Sequence, residues 1–414
     1  MSKSDIESID FLDPSTQSCP YEAYETLRDE CPVYKIPEVG SYMITRYDDA
    51  RNILRDPKTF SSTFPSQDRP LSEGMKRHTD ILQNEGLGRT GTLQRLDPPM
   101  HTAYRKLLNK AFNVKRMREI QPYIDKVVND LIDEFVDGGS CEFVSEFAVP
   151  IPCTIIADQL GVSREYLPKL KAWSDAMLLP ASMMATFEEM EEAAYLEVEA
   201  QHYFSEVFEE KRHNPTDDII SELVNLDFEG ERKLTDPELQ DLMHQLLTGG
   251  NETTTSSISH GMWLLIRHPE QMEKLLSNLE LIPNFVEETL RYETPVQSLN
   301  RATTEDVEIR GFKIPKANSV MVRYGALNRD EDVFEDPEIF DIERKNAAKH
   351  MAFGAGAHHC IGAMLARAEM ETAFRCFFSR IRNVELQKPL QEVPHHPSIW
   401  LRQLKELPIT FKKI

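Results

Sequence analysis

The run from residue 235 to 268 restricts the fold more than any other part of the chain. Thr235 and Glu238 have the spacing of a capping box, Pro237 falls in the first turn, and His268-Pro269 closes the run. About thirty helical residues reach roughly 45 Å, enough to cross a whole domain. Leu239, Leu242, Met243 and Leu246 form an apolar stripe at helical spacing. Carried onward, the stripe lands on Gly250 and Thr253 within Gly249-Gly250-Asn251-Glu252-Thr253-Thr254. Each glycine inside a helix costs about 1 kcal/mol relative to alanine, so the pair wants a reason. A widened turn, a gap against a flat partner or room for a small ligand would each supply one. An acid beside a hydroxyl on a buried face suits proton delivery. A helix kink with a hydrogen-bonded threonine suits the same residues.

A second stretch runs Phe353-Gly354-Ala355-Gly356-Ala357-His358-His359-Cys360-Ile361-Gly362. Its glycines let the backbone turn tightly and approach another body closely. A helical pattern follows (Met364, Leu365, Ala368, Met370). The N–H groups and positive dipole end of that helix point back at the sulfur and favour its thiolate, the form that ligates metals. Taken alone, Cys360 reads as a buried cysteine in a Gly-rich turn. Zinc held by His350, His358, His359 and Cys360 is a second reading, although no Cys-x-x-Cys pair or further ligand cluster completes the usual spacing.

The remaining chain reads as 414 residues without a Ser/Gly-rich linker, hence as a single domain over 1–414, and 40% apolar content allows a large core. A net charge of −22 excludes the basic footprint of a nucleic-acid binder. The six cysteines lack disulfide-like spacing, which points to a reducing compartment. With no signal peptide and no apolar run of about 20 residues, a soluble cytoplasmic monomer is expected. Residues 33–36 and 42–45 read as a hairpin and 48–54 as a short helix. The stretch 63–94 reads as irregular, and Asp97-Pro98-Pro99 as the start of a helix that places His101 and Arg105 at i and i+4. Between 101 and 118 lie Arg105, Lys106, Lys110, Lys115, Arg116 and Arg118 with no acid. That run is either a solvated helix face or a docking patch. Helical patterns cover 129–135, 165–179 and 188–211, and the Met-rich turn at 177–184 is either core or pliable pocket wall. Strands are expected at 307–309, 312–314 and 320–322, and residues 404–411 read as an edge strand because of Pro408.

Taken together, these stretches resemble the cytochromes P-450. Residues 353–362 are similar to that family's haem-binding loop, Phe-Gly-x-Gly-x-(His or Arg)-x-Cys-x-Gly, at every fixed position. Gly249 to Thr253 resembles its oxygen-binding helix, with Gly249 where alanine is more usual. Glu288 and Arg291 resemble its buried Glu-x-x-Arg pair, and Asn328-Arg329-Asp330 with Phe334-x-Asp336-Pro337-x-x-Phe340 resembles the meander before the haem loop. The resemblance implies a mainly α fold with small β-sheets (β-rich parts near 30–60 and 295–325) and haem between the long central helix and the helix after the cysteine. It implies haem b with Cys360 as iron ligand, a loop held by Phe353, Gly354 and Gly362, and propionates met by His101, Arg105, Arg301 and His358. Glu252 and Thr253 would serve oxygen activation, with O2 as co-substrate. Electrons would come from NAD(P)H through a ferredoxin reductase and a ferredoxin, docked in part by the basic run.

The expected reaction is insertion of one oxygen atom into a C–H bond, as hydroxylation or oxidative O-demethylation. Gln245, Thr248, Gly249, Val296, Gln297, Ser298, Met177, Met184, His395 and His396 are placed around the substrate by the motifs. Because buried amides, hydroxyls and imidazoles need partners, a small to medium, partly polar substrate is expected. The alternatives are a hydroxylase of a terpenoid, steroid or fatty acid, with these side chains binding water, and a haem sensor or carrier without turnover.

Overall fold

The computed structural model describes residue 6 and residues 9–64, 72–182, 185–230, 232–389 and 393–414. The chain divides into two compact units, the first Met1–Pro65, Ile120–Pro150 and Thr253–Ile414, the second Ser66–Glu119 and Ile151–Glu252.

All the described strands belong to the first unit: β1 (Val33–Lys35), β2 (Tyr42–Ile44), β3 (Phe60–Ser61), β4 (Ser140–Glu142), β5 (Ser298–Thr303), β6 (Val307–Ile309), β7 (Phe312–Ile314), β8 (Ser319–Arg323), β9 (Ile381–Leu386) and β10 (Pro408–Lys413). The main sheet has the order β1-β2-β8-β5-β3, so the early hairpin joins strands from much later in the chain. Its β2–β8 pair is parallel and its other pairs are antiparallel. Directly after β2 comes the Tyr47–Arg55 helix, whose Ala50, Ile53 and Leu54 pack with Val33, Ile44, Val320 and Val322 in one core cluster. Burying each large aliphatic side chain there is worth about 1.5–3 kcal/mol.

A three-stranded sheet has the order β4-β10-β9, which overturns the reading of 404–411 as an edge strand. Pro408 is the first residue of β10, where a missing donor costs least, and its carbonyl still accepts from the Gln387 N–H at 3.0 Å. The strand therefore sits at the centre.

The second unit is helical, with Glu73–Glu85, Met100–Leu108, Leu167–Leu178, Phe187–His213 and Asp236–Gly250 its main described elements. The first of these lies within the stretch expected to be irregular; residues 65–71 of that stretch are outside the described residues. Ser72 caps the helix by accepting from the Met75 N–H at 3.1 Å, and Ile81 and Leu82 bury against Ala194 and Val198. Packing outweighs the turn-forming residues on either side.

The long central run is also corrected. It is two helices, Asp236–Gly250 and Glu252–Arg267, interrupted at the fully buried Asn251. The capping box is present, with the Glu238 carboxylate accepting from the Thr235 N–H at 2.7 Å. No described helix is long and apolar enough to cross a membrane.

Candidate active site

The cysteine loop owes its shape to glycine and to a neighbouring backbone. Gly356 has φ +70°, and a Cβ there would lie 2.3 Å from the Leu54 carbonyl oxygen, so no other residue fits without moving the backbone. The Cys360 N–H donates to the Phe353 carbonyl at 2.8 Å and closes the loop. Gly362 then caps the Ala363–Arg380 helix. Phe353 lies beneath the Arg367 guanidinium at 4.5 Å, and Arg367 grips Glu287 with two bonds of 2.5 and 2.9 Å. His350 Nε2 lies 3.3 Å from the same carboxylate. Burial works to raise the Glu287 carboxyl, but Arg367 and His350 hold it well below its ordinary value. This clamp fixes the loop's aromatic end.

Cys360 is exposed, whereas Cys141 and Cys153 are buried. Burial pushes the Cys141 thiol up to about 12, and a Cys360 buried in the same way is not what the structure has. Nor do the histidines gather a zinc site. Among the described residues, the one group of three or more potential metal ligands within reach of each other is Asp330, Glu331 and Asp332. Arg46 already occupies it, at 2.8 Å from Asp330.

Arg301 on β5 is 6% exposed, and its guanidinium donates to the Asn300 carbonyl at 2.8 Å. No carboxylate among the described residues pairs with it. A buried cation in that state suits an acidic ligand group. His358 in the loop has Nε2 3.0 Å from Ser62 Oγ. In the second unit, His101 is buried and Arg105 half-buried on the Met100–Leu108 helix, with Arg105 Nε donating to Asn109 Oδ1 at 3.3 Å.

Glu288 and Arg291 are both fully buried. They form a two-bond pair of 2.7 and 2.8 Å, and Arg291 also donates to the Asn328, Pro337 and Ile339 carbonyls. The pair thereby ties its helix to the meander.

Glu252 is 5% exposed at the start of the Glu252–Arg267 helix. Its Oε1 lies 3.3 Å from Lys171 Nζ, and Lys171 also bonds Asp175 at 2.5 Å. Burial raises the Glu252 carboxyl above its ordinary value; Lys171 opposes the shift and Asp175 adds to it. Thr253 is half-buried, and its carbonyl accepts from Ser257 Oγ at 2.8 Å. Gly249 is exposed, and a Cβ there would meet nothing within 4 Å. Sequence reasoning missed Lys171 and Asp175. Their i,i+4 spacing on the expected 165–179 helix was the available signal.

The sequence model of the Cytochrome P450 family matches residues 34–406. The chain is a cytochrome P450. It is 33% identical to cytochrome P450 monooxygenase PikC of Streptomyces venezuelae over 95% of this chain and 91% of that one. It is 32% identical to 6-deoxyerythronolide B hydroxylase of Saccharopolyspora erythraea, covering 94% of this chain and 95% of that protein. Among solved structures it is similar to P450BioI in complex with hexadec-9Z-enoic acid ligated acyl carrier protein. That match has a TM-score of 0.86 and 32% identity, and covers 96% of this chain and 99% of that one. P450s are haem b enzymes that use O2 and NAD(P)H-derived electrons delivered through redox partners. The residues of this P450 fit haem, with one exposed thiol on a pinned loop and a buried arginine lacking a carboxylate partner among the described residues.

The side chains expected around the P450's substrate are mostly occupied by the protein itself. Gln245 donates to Thr92 Oγ1 at 2.8 Å and Asp241 at 2.6 Å, and accepts from the Gln94 N–H at 3.0 Å. Gln297 accepts from the Tyr24 hydroxyl at 2.9 Å and donates to the Thr294 carbonyl at 2.6 Å. Thr248 Oγ1 donates to the His244 carbonyl at 2.7 Å, and Ser298 Oγ accepts from Arg323 at 3.0 Å. His395 meets His260 at 3.2 Å, while His396 is exposed. Val296 packs against the core cluster of the main sheet, and Met177 is buried at the end of the Leu167–Leu178 helix. Met184 lies outside the described residues. Contrary to expectation, Gln245, Thr248, Gln297 and Ser298 do not need a polar substrate, because their partners are internal.

Proposed function

We propose that this P450 is a haem-thiolate monooxygenase inserting one oxygen atom of O2 into a C–H bond of a largely apolar organic molecule. The observation that carries the reading is the exposed Cys360 on a loop clamped through Phe353, Arg367 and Glu287. Cys360 would hold the iron through its thiolate, and His101, Arg105, Arg301 and His358 would meet the two propionates. When bound, the haem supplies the oxygen chemistry, with the thiolate pushing electron density towards O–O cleavage. Glu252 carries a proton at its carboxylate, exchanging it under the opposed influence of Lys171 and Asp175, and the Thr253 hydroxyl passes it on.

Internal satisfaction of Gln245, Thr248, Gln297 and Ser298 favours the terpenoid, steroid or fatty-acid alternative over the partly polar substrate. A long-chain substrate is in keeping with the similar structure in complex with hexadec-9Z-enoic acid ligated acyl carrier protein. We place the protein in the cytoplasm as a monomer with a single catalytic domain over residues 1–414. The exposed Lys106, Lys110 and Arg118 would dock an acidic ferredoxin. Arg116 suits that role less, since it is half-buried with Nε donating to Gln159 at 3.4 Å.

The test is the carbon monoxide spectrum of Cys360→His. The variant should retain some haem but lose the red-shifted thiolate-type band and substrate turnover. A normal thiolate-type band would overturn the ligand assignment. For the substrate, spin-state shifts from a terpene and its oxygenated analogue are compared, with tighter binding expected for the bare hydrocarbon.

A further inference from the structure

The end of the first unit doubles back as a hairpin. His395 and Leu404 form an antiparallel bridge, the His396 N–H donates to the Gln403 carbonyl at 2.9 Å, and the Lys405 N–H to the Pro394 carbonyl at 2.9 Å. One side of the hairpin runs along residues 295–297. The Gln297 N–H donates to the Trp400 carbonyl at 2.7 Å, and the Arg402 N–H to the Pro295 carbonyl at 2.8 Å. Its base is fastened to the Glu252–Arg267 helix at two points: Ser256 Oγ donates to the Arg402 carbonyl, and His260 Nε2 lies 3.2 Å from His395 Nε2. The two rings stack with centroids 5.4 Å apart, and Trp263 sits edge-on to both, at 5.3 and 5.9 Å.

The proton positions follow from the partners. His260 Nδ1 is 2.8 Å from the Ser256 carbonyl oxygen, which only accepts, so Nδ1 carries the hydrogen. His260 Nε2 is then a lone pair, and His395 Nε2–H donates to it. The contact requires a neutral His260 to accept; His395 can donate from Nε2 in either form, and it is burial that opposes a second proton on it. A further proton on His260 would set two N–H groups against each other and leave a cation among buried groups.

The charged groups facing the pair come from several elements. Arg402 of the hairpin bonds Glu293 at 2.5 Å, and Glu293 also accepts from the Tyr21 hydroxyl at 2.7 Å, with Arg329 at 4.0 Å. Arg267, on the same helix as His260, lies over Trp263 at 4.4 Å. Among the described residues, Glu293 is the carboxylate that acts on the pair, and it is engaged by Arg402.

We propose that His260 and His395 form a proton-sensitive fastening that holds the C-terminal hairpin, residues 393–405, against the helix carrying Thr253, and that mild acid releases it. Burial, together with Arg402, brings His260 down to about 4 from the ordinary 6.5, and His395 is lowered further. A base whose folded value is depressed is fully neutral, and the fastening complete, above about 6.5; the fastening weakens as pH falls towards 4. Each unit of pH across that window shifts the closed-to-open ratio by up to about tenfold per imidazole. Val296 and Gln297 run beside the same hairpin, so on the functional reading above its release also loosens the substrate. Hydrogen exchange does not depend on that reading.

The experiment is amide hydrogen exchange of the holoenzyme at pH 7 and pH 5, corrected for the intrinsic chemical rate. Peptides covering 393–405 should lose about a hundredfold in protection at pH 5, while those covering the cysteine loop change little. In His395→Gln the amide can still donate to His260 Nε2 but takes up no proton, so protection at pH 7 should persist and the loss at pH 5 should shrink to about tenfold. Equal protection of the wild-type hairpin at the two pH values overturns the proposal. So does an acid-induced loss of the same size in His395→Gln, which would place the titrating group elsewhere.

Discussion

Glu288 in the first unit and Glu252 in the second are both buried carboxylates, yet their surroundings differ in kind. Glu288 receives two bonds from Arg291, one from Arg344 at 3.1 Å and one from the Asp341 N–H at 3.0 Å. Glu252 has Lys171 at 3.3 Å, and that lysine is shared with Asp175. A carboxylate held by four fixed donors acts as scaffold. One that shares its counter-ion and is raised by burial stays close to exchanging a proton. Two glutamates at similar depth therefore sit in different electrostatic settings.

Breaking the saturated site should have the largest effect. Arg291→Ala leaves Glu288 buried with a reduced partner set and should cost about 3–5 kcal/mol. Urea unfolding of the holoenzyme measures it, and a loss below 1 kcal/mol would mean the pair is not structural. At the other site, Glu252→Gln should leave folding intact while product formation falls about a hundredfold, the size usual for a lost proton relay. Thr253→Ala should keep NADH consumption and divert the flux to hydrogen peroxide. Unchanged coupling in both variants would mean that protons enter elsewhere.

A third buried acid sharpens the contrast. Glu369, on the helix after Cys360, is 2% exposed and pushed up to about 8 by burial alone. The folded state therefore keeps its proton while the unfolded state loses it above the ordinary 4.5. Stability should decline as pH rises from 4.5 to about 8. Glu369→Gln should flatten that decline and gain about 2 kcal/mol at neutral pH; a pH series of melting curves reads it directly.

Smaller effects should follow from retuning Glu252 rather than removing it. Lys171→Met removes the group that lowers its pKa, so the acidic limb of the turnover–pH profile should move to higher pH. Asp175→Asn removes a group that raises it, and the limb should move the other way. Shifts of the same sign would show that neither residue acts through Glu252. Smallest is charge reversal at Lys110 and Arg118, which should slow electron delivery severalfold at low salt and leave substrate binding alone. A rate indifferent to both salt and mutation would make the basic run a solvated face.

Much of this was legible in the order of residues, because short motifs with hard geometric demands carry their own signal. Gly356 tolerates no Cβ, the early strands are short β-rich runs around a turn with Pro37 and Gly40, and Thr235 with Glu238 announces a helix start. Long-range satisfaction left no such trace. Gln245 looks available to a ligand until Thr92, Gln94 and Asp241 are seen around it. The His260–His395 contact joins residues 135 positions apart, with nothing local to mark it. Pro408 suggested an edge because proline removes a donor, but its place at the head of β10 made that loss harmless. The Glu73–Glu85 helix was hidden for a related reason: its support comes from Ala194 and Val198, more than a hundred residues away.

The close approach of Gly356 to Leu54 also bears on the order in which the molecule is made. The helix at 47–55 leaves the ribosome early, and the loop at 353–362 emerges only when most of the chain has been translated. The loop takes its turn against a carbonyl that must already be in place, so on the proposed assignment of Cys360 as the ligand its setting is complete only near the end of synthesis. On that assignment, loading of the prosthetic group is deferred to an almost finished polypeptide.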